Sequence, residues 1–291
     1  MKKKQAQNYF RGFTLIELAI ALAIVSLLLG GISVPLSKRI AEQQYAETQA
    51  SIDKAMEALV GFALLNKRLP CPDISTSTTD NRDGFEDTSA VAGGCRAGAN
   101  TGSFDYSLAY DAAGASWGDL PWKTLGLSPL DGADAWNNRL RYAVVSYFAD
   151  PIPTLTTNIG TASNTLTVLC SSGSGAAPPG CLASTSYQIS NDVAFVVYSV
   201  GANGWGGTKI SALNSSKPFS AAQLTAAPDE AINAPERKTG SNAAAITART
   251  QFLTRERTDD ANSTSGIYDD LLGYMPKAKL LSRLINAGLY P

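Results

Sequence analysis

The four cysteines are the residues whose type and spacing point most directly to covalent chemistry. Cys71, Cys95, Cys170 and Cys181 are even in number, and none forms a C-x-x-C pair. Zinc and thioredoxin-like motifs are therefore absent, and two disulfide bonds formed in an oxidising compartment are the favoured interpretation. We expect the local pairing, Cys71–Cys95 and Cys170–Cys181, because each pair brackets a loop rich in turn-forming residues. Two other pairings and a set of four buried free thiols are the alternatives.

Catalytic chemistry is restricted by the absence of histidine, which excludes Ser-His-Asp, Cys-His and His-bound zinc sites. Residues 51–54, 79–81 and 238–240 follow the order of the S-x-x-K, S-D-N and K-T-G motifs of penicillin-binding proteins. However, Ser51 is predicted on the polar side of a helix, and the second motif lies inside the predicted Cys71–Cys95 loop. A membrane-anchored periplasmic serine enzyme is thus a remote alternative, and we expect no catalytic residues.

The charge distribution argues against nucleic acid as a partner. The first twelve residues carry four basic side chains and no acid, which leaves 20 basic and 25 acidic side chains in residues 13–291. Binding to duplex DNA or RNA needs clustered Lys and Arg to displace counterions. No such cluster is visible in the sequence.

An apolar run of 22 residues, 13–34, contains a single carboxylate, Glu17. The length fits the roughly 20 residues of a transmembrane helix, and the basic residues before it place residues 1–12 in the cytoplasm. No small-residue cleavage site of a secretory signal follows the run. Because a carboxylate costs about 2.5–3.5 kcal/mol near the bilayer centre, Glu17 is expected to have a cationic partner.

Residues 11–18, RGFTLIEL, resemble the leader junction of type IV pilins and type II secretion pseudopilins. The resemblance implies that a prepilin peptidase cleaves after Gly12 and that Phe13 becomes the N-methylated terminus. It also implies that Glu17 pairs with the terminal amine of a neighbouring subunit during assembly. The expected partners are other pilin or pseudopilin subunits, the peptidase, the inner-membrane assembly platform and the inner membrane itself.

The helix is expected to kink or melt near Gly30, Gly31 and Pro35, since proline removes one backbone hydrogen bond. Residues 36–66 are predicted to form an amphipathic stalk helix that ends before the prolines at positions 70 and 72. Its apolar stripe consists of Ile52, Met56, Leu59, Val60 and Ala63.

Residues 67–291 are predicted to form the globular head, with strands at 143–148, 165–170 and 193–200 and a short helix after Pro276. We expect Leu280, Leu281, Leu284 and Ile285 to share one face of that helix. The predicted fold class is α+β, with a long N-terminal helix packed on an antiparallel sheet. The predicted order is a leader (1–12), a transmembrane or filament-core helix (13–35), the stalk (36–66) and the head.

Two turns in the head resemble those of pseudopilins. Residues 134–138 are similar to a D-x-W-G-N turn, with Asn137 where glycine is usual, and asparagine tolerates a positive φ. Residues 199–204 are similar to an S-x-G-x-[DN]-G turn. A solvent-exposed hairpin turn accounts for the second sequence equally well.

No metal site or cofactor is predicted, although the sequence permits calcium. The acids around Gly84 are out of register for an EF-hand loop. Four other acids lie where some pseudopilins hold calcium: Asp259, Asp260, Asp269 and Asp270.

The favoured function is a minor pilin, a structural subunit of a type IV pilus-like filament. The chain expected after cleavage, residues 13–291, is larger than a typical major subunit. The alternative is a pseudopilin of a type II secretion system, although the largest pseudopilins generally lack the acid found here as Glu17. The expected location is the inner membrane of a Gram-negative bacterium, crossed once, with the head in the periplasm, and then the pilus or pseudopilus.

Overall fold

The structure of the chain is a computed structural model. It describes residues 12–73, 84–88, 95, 115–149, 166–171, 187–210, 220–233, 250–260 and 266–289. The chain divides into two compact units, Met1–Tyr45 and Ala46–Pro291. The first helix contributes residues to both units, and the sheet belongs to the second.

The described part of the chain contains both helices and strands, which confirms the α+β class. The helices are α1 (Leu15–Asn66), α2 (Ser146–Ala149), α3 (Ala221–Ala226), α4 (Glu230–Asn233) and α5 (Lys277–Asn286). The strands are β1 (Ala115–Asp119), β2 (Arg141–Val145), β3 (Leu166–Leu169), β4 (Gln188–Ser199), β5 (Gln251–Leu253) and β6 (Leu271–Pro276).

The strands form one sheet in the order β1-β2-β4-β3-β5, with β6 also paired to β4. The prediction of an antiparallel sheet is wrong for one pair, because β3 and β5 are parallel, with Val168 opposite Phe252. Strand β4 lies between β3 and β5 in the chain and runs antiparallel to β3, so the chain has already reversed once before β5 pairs with the other edge of β3. The sheet is therefore mixed.

The apolar stripe predicted on the second half of α1 is confirmed. Its five residues and Ala55 are all buried in the main core of the second unit, together with side chains of β2 and β4. Gly273 of β6 permits this packing, because a Cβ there would lie only 2.7 Å from Ile52 Cγ2. Helix α1 ends at Asn66, as predicted, and Lys67 follows in the left-handed region with φ of 54°.

The predicted strands are found, with different ends. The first is shorter than expected, since β2 stops at Val145 and α2 follows, whereas β4 begins at Gln188, five residues early. The C-terminal helix is also confirmed, and Pro276 precedes its first residue. The shared apolar face is wrong for Ile285, which is 47% exposed, while Leu280 and Leu284 are buried. Residues four apart share a helix face, and Ile285 lies one position beyond that pair.

Candidate functional site

The first turn of α1 is shaped by Thr14. The Thr14 carbonyl oxygen accepts a hydrogen bond from Leu18 N at 3.1 Å, and its hydroxyl oxygen accepts one from Glu17 N at 3.3 Å. A threonine hydroxyl that satisfies a free N–H group is a typical N-terminal helix cap. Glu17 therefore lies in the first turn, where the helix dipole favours a negative charge.

The apolar side chains around Glu17 are exposed over a continuous stretch of helix. Phe13 is 82% exposed, Leu15 is 89% exposed and Leu27 is 77% exposed. Isolated apolar side chains on a protein surface need no explanation, but a contiguous apolar surface marks an interaction site. The first unit thus presents an apolar helix surface that carries one acid.

This arrangement matches a known N-terminal signature. Residues 7–33 carry the prokaryotic N-terminal methylation motif. The motif is the prepilin-type signature of type IV pilins and pseudopilins, which confirms the recognition made from residues 11–18. It supports a pilin-like or pseudopilin protein, hence a structural protein that is membrane-anchored or pilus-associated. No curated protein and no solved structure matches the chain.

The structure describes only one side of the predicted leader and the junction that follows it. Gly12 and Phe13 precede α1 and are both exposed, whereas residues 1–11 of the predicted leader lie outside the described residues. Cleavage after Gly12 and methylation of Phe13 stay predictions. Among the helices in the described part of the chain, none combines the length and the apolar character needed to cross a membrane.

The predicted helix break stays a prediction. In the single chain, helix α1 runs without interruption through Gly30, Gly31 and Pro35. The predicted opening of this region therefore belongs to the assembled filament.

The Cys71–Cys95 disulfide is confirmed, with the two Cα atoms 5.2 Å apart. Cys71 is further held by Glu86, whose carboxylate accepts a hydrogen bond from Cys71 N at 3.0 Å. The same carboxylate binds Arg68 through two contacts of 2.6 and 2.7 Å. Bidentate arginine–carboxylate pairs fix geometry as well as charge, so this contact anchors one end of the disulfide loop.

The second predicted disulfide is only partly described. Cys170 is disulfide-bonded. Its expected partner, Cys181, lies outside the described residues.

The serine motif is not assembled as a catalytic site in the described residues. Lys54 Nζ binds Asp131 Oδ1 at 2.7 Å, so the lysine of the S-x-x-K pattern forms an ion pair elsewhere. The other two motifs, residues 79–81 and 238–240, lie outside the described residues.

The two pseudopilin-like turns meet around Asp134, which sequence reasoning did not foresee. Asp134 Oδ1 accepts hydrogen bonds from Trp136 N at 2.9 Å and Asn138 N at 2.7 Å. Asp134 Oδ2 accepts from Asn138 Nδ2 at 2.8 Å and from Ser199 Oγ at 2.7 Å. Asn137 has φ of 64°, which confirms that asparagine replaces glycine in a left-handed position. The first turn is thereby fastened to the end of β4.

Three buried acids form a second candidate site: Glu230, Asp269 and Asp270. One carboxylate oxygen of each lies within 4.8 Å of those of the other two. Burial, the main cause, and the neighbouring carboxylates raise the pKa of Glu230 to about 10. The same burial raises the pKa of Asp269 and of Asp270.

The acids expected near a calcium site are thus only partly brought together. Asp269 and Asp270 belong to the cluster, whereas Asp259 and Asp260 are exposed and lie outside it. Glu230 was missed, because it is 39 residues before Asp269 and no local pattern links the two.

The cluster fits an oxygen-preferring cation by its chemistry. All three side chains are carboxylates, the ligands that Ca²⁺ prefers, and none is a nitrogen or sulfur ligand. Asp269 Oδ1 is buried and has no hydrogen-bond partner among the described residues. A buried carboxylate oxygen without a partner is costly, and a bound cation would remove that cost.

Proposed function

We propose that the chain is a minor pilin, a low-abundance structural subunit of a type IV pilus-like filament. The observation that carries this proposal is the prepilin-type motif at residues 7–33, which includes an apolar helical segment whose side chains are exposed at residues 15–27. In the proposed sequence these side chains contact lipid before assembly and contact neighbouring subunits in the filament. The prepilin peptidase, the inner-membrane assembly platform and other pilin subunits are the proposed partners.

In the proposed assembly, Glu17 supplies the contact that sets subunit stagger. Cleavage after Gly12 gives a positively charged amine at Phe13, and Glu17 of one subunit pairs with that amine of the next. Away from water a charge–charge contact is several times stronger than in bulk solvent. In an unassembled subunit the Glu17 carboxylate lies within the membrane without this partner, which is costly. Incorporation in the one register that pairs Glu17 with a Phe13 amine removes that cost.

A pseudopilin of a type II secretion system is the second candidate function. The motif is common to both classes, and the turn around Asp134 is the feature that favours a pseudopilin head. The effect of deleting the gene distinguishes a minor pilin from a pseudopilin. A pilin deletion removes or shortens surface filaments, whereas a pseudopilin deletion stops the secretion of folded exoproteins and leaves surface filaments unchanged.

The assembly test compares Glu17→Gln and Glu17→Ala with the wild type, each expressed at equal level in the host of origin. We expect both variants to be cleaved to a mature chain that begins at Phe13, since cleavage does not need the carboxylate. We expect both to be depleted from sheared filaments, or from cross-linked pseudopili, because glutamine is polar but carries no charge. Mass spectrometry checks the terminus and immunoblotting checks incorporation.

Glu42→Gln is the matched control, because it makes the same change at an exposed position of the same helix. It should be incorporated as well as the wild type. Normal incorporation of Glu17→Gln would refute the charge pairing. A mature protein that retains Met1 would refute the prepilin processing itself.

A further inference from the structure

Five residues inside the disulfide loop are fastened to the rest of the head. Residues 84–88, which we call the inner segment, lie between the two bonded cysteines in the chain. Gly84 O accepts a hydrogen bond from Lys123 N at 2.8 Å. Glu86 N donates a hydrogen bond to Thr124 Oγ1 at 2.8 Å. The inner segment is therefore held against the turn that follows β1.

The inner segment also contacts both cysteines of the disulfide. Cys71 N donates a hydrogen bond to Glu86 Oε2 at 3.0 Å, and Thr88 forms a β-bridge with Cys95. Cys71 is 0% exposed and Cys95 is 5% exposed. A reagent in solution therefore reaches this disulfide only after a local opening of the head.

Asp73 is the buried side chain that holds the start of the inner segment. Its Oδ2 accepts a hydrogen bond from Gly84 N at 2.8 Å, whereas Oδ1 is buried without a hydrogen-bond partner in the described part of the chain. Asp73 also forms no ion pair with any Lys or Arg that the structure describes. An ionised Asp73 would be desolvated and only half satisfied here, so the closed head favours the protonated acid.

The charged groups around Asp73 strengthen this preference. Asp119 faces Asp73 and is the acid that the nearby arginines contact, with Arg141 Nη1 2.7 Å from Asp119 Oδ1 and Arg139 Nε 3.9 Å from Oδ2. Asp87, in the inner segment, adds a second negative charge that faces Asp73. Burial, and then the Asp119 carboxylate, raise the pKa of Asp73 to about 8. Ionisation of Asp73 therefore places an additional negative charge in a buried cluster.

We propose that ionisation of Asp73 detaches the inner segment from the head and thereby exposes the Cys71–Cys95 disulfide. Water must reach an ionised Asp73, and the inner segment is the part of its surroundings that opens at the lowest cost. Among the described residues, the main core includes Leu69 and Trp117 from the chain on either side of Asp73 and Asp119, but no side chain of the inner segment. Segments with few buried apolar contacts open first. The proposal is independent of the filament function.

The direction of the pH dependence follows from the proton that the closed head retains. The closed head keeps the Asp73 proton up to about pH 8, whereas an exposed aspartate loses it near pH 3.8. Between these two values a rise in pH favours the open form, by at most about tenfold per pH unit. Below pH 3.8 both forms are protonated, and above about pH 8 both are ionised, so the population of the open form is constant in each range.

Amide hydrogen exchange of the full-length chain in detergent, from pH 5 to pH 9, tests the proposal on the wild type. After correction for the pH dependence of exchange in free amides, the protection of residues 84–88 should fall at least about tenfold between pH 5 and pH 8 and then level off. The amides of β4 should keep their protection over the same range. No fall in the inner segment, or an equal fall in β4, would overturn the proposal.

Asp73→Asn removes the titrating group and keeps an acceptor oxygen for Gly84 N. Protection of the inner segment should therefore be the same at every pH in this variant. Asp53→Asn is the matched control, because it removes an exposed carboxylate of α1, and it should show the pH dependence of the wild type. A pH dependence in Asp73→Asn equal to that of the wild type would refute the role of Asp73. If Asp73→Asn does not fold, the wild-type series decides alone.

Reduction by a water-soluble phosphine measures the exposure of the disulfide directly. The phosphine gives two electrons to the sulfur–sulfur bond, water supplies the oxygen of the phosphine oxide and two protons, and two thiols form. Mass spectrometry of alkylated Cys71 gives the rate. The ratio of the wild-type rate to the Asp73→Asn rate, in which the reactivity of the phosphine itself cancels, should rise at least about fivefold from pH 6 to pH 8. An unchanged ratio would overturn the link between Asp73 and the disulfide.

Discussion

Replacement of Asp73 by asparagine should stabilise the head at alkaline pH and not at acid pH. Asp73 is 1% exposed and forms a two-way backbone bridge with Asp119, at 2.9 and 3.0 Å. Its Oδ2 accepts a hydrogen bond from Gly84 N at 2.8 Å, while Oδ1 is buried without a partner among the described residues. The charged groups that face it are Asp119, Asp87 and Arg139.

Burial, and then the Asp119 carboxylate, raise the pKa of Asp73 from 3.8 to about 8. The folded state therefore keeps a proton that the unfolded chain has lost between pH 3.8 and about 8. Stability from this group is fully present below pH 3.8, falls as the pH rises, and is lost above about pH 8. Because pH 7 lies about three units above 3.8, the stability lost at pH 7 relative to acid pH has an upper bound of about 4 kcal/mol.

Asparagine is neutral at every pH, so Asp73→Asn removes this dependence. The new amide has no acceptor at the position of Oδ1, which costs about 1–3 kcal/mol. We expect Asp73→Asn to be less stable than the wild type near pH 4 and more stable by about 1–3 kcal/mol near pH 8. The reversal of sign distinguishes proton binding from a simple change in packing.

Urea unfolding of the full-length chain in detergent, followed by tryptophan fluorescence from pH 4 to 9, measures the effect. Asp53→Asn is the control, because it removes a carboxylate from an exposed position of α1. The difference between Asp53→Asn and the wild type should not change sign with pH. A constant difference between Asp73→Asn and the wild type across this range would refute the conclusion that folded Asp73 retains its proton.

Three further substitutions test the turns of the head. Gly84→Ala should destabilise it by about 2–4 kcal/mol, because Gly84 has φ of 86° and a Cβ there would overlap the ring of Trp122. Gly126→Ala should cost only about 1 kcal/mol, because Gly126 has φ of 70° but no atom lies within 4 Å of an added Cβ. Equal urea midpoints for Gly84→Ala and Gly126→Ala would show that the overlap with Trp122 does not destabilise the head. Asp134→Ala should cost about 3 kcal/mol, because it leaves the buried Asn138 N and the half-buried Trp136 N without their acceptor. An unchanged urea midpoint for Asp134→Ala would show that this turn does not hold the head together.

Features that depend on neighbouring residues were predictable from the sequence. The prepilin-type segment is contiguous, so its leucines, Glu17 and glycine junction could be recognised without a fold. The stripe on α1 follows helical periodicity, and the cost of extending a helix into Pro70 and Pro72 fixed its end near Asn66. The Cys71–Cys95 bond closes a short loop, which made local pairing the simplest choice.

Features that depend on distant residues were decided by tertiary structure. β5 and β6 have few residues and carry no clear alternation, so their pairing with β3 and β4 is set by where the rest of the sheet lies. Asp134 and Ser199 are 65 residues apart, and their hydrogen bond exists only because β2 and β4 are neighbours. A solvent-exposed hairpin was an equally good interpretation of the turn that follows Ser199 until that contact showed that Ser199 itself is buried.

The cluster of Glu230, Asp269 and Asp270 is the clearest example of a feature that depends on residues distant in the sequence. The sequence identified Asp269 and Asp270 as acids of interest, yet it ranked exposed Asp259 and Asp260 equally and omitted Glu230. The sequence shows which residues carry carboxylates, but it does not show how deeply each carboxylate is buried or how far it lies from the others. Those two quantities determine whether an acid is an ordinary surface charge or part of a site with a raised pKa. The chain by itself therefore determined the prepilin-type segment, and only the folded second unit determined which acids lie together.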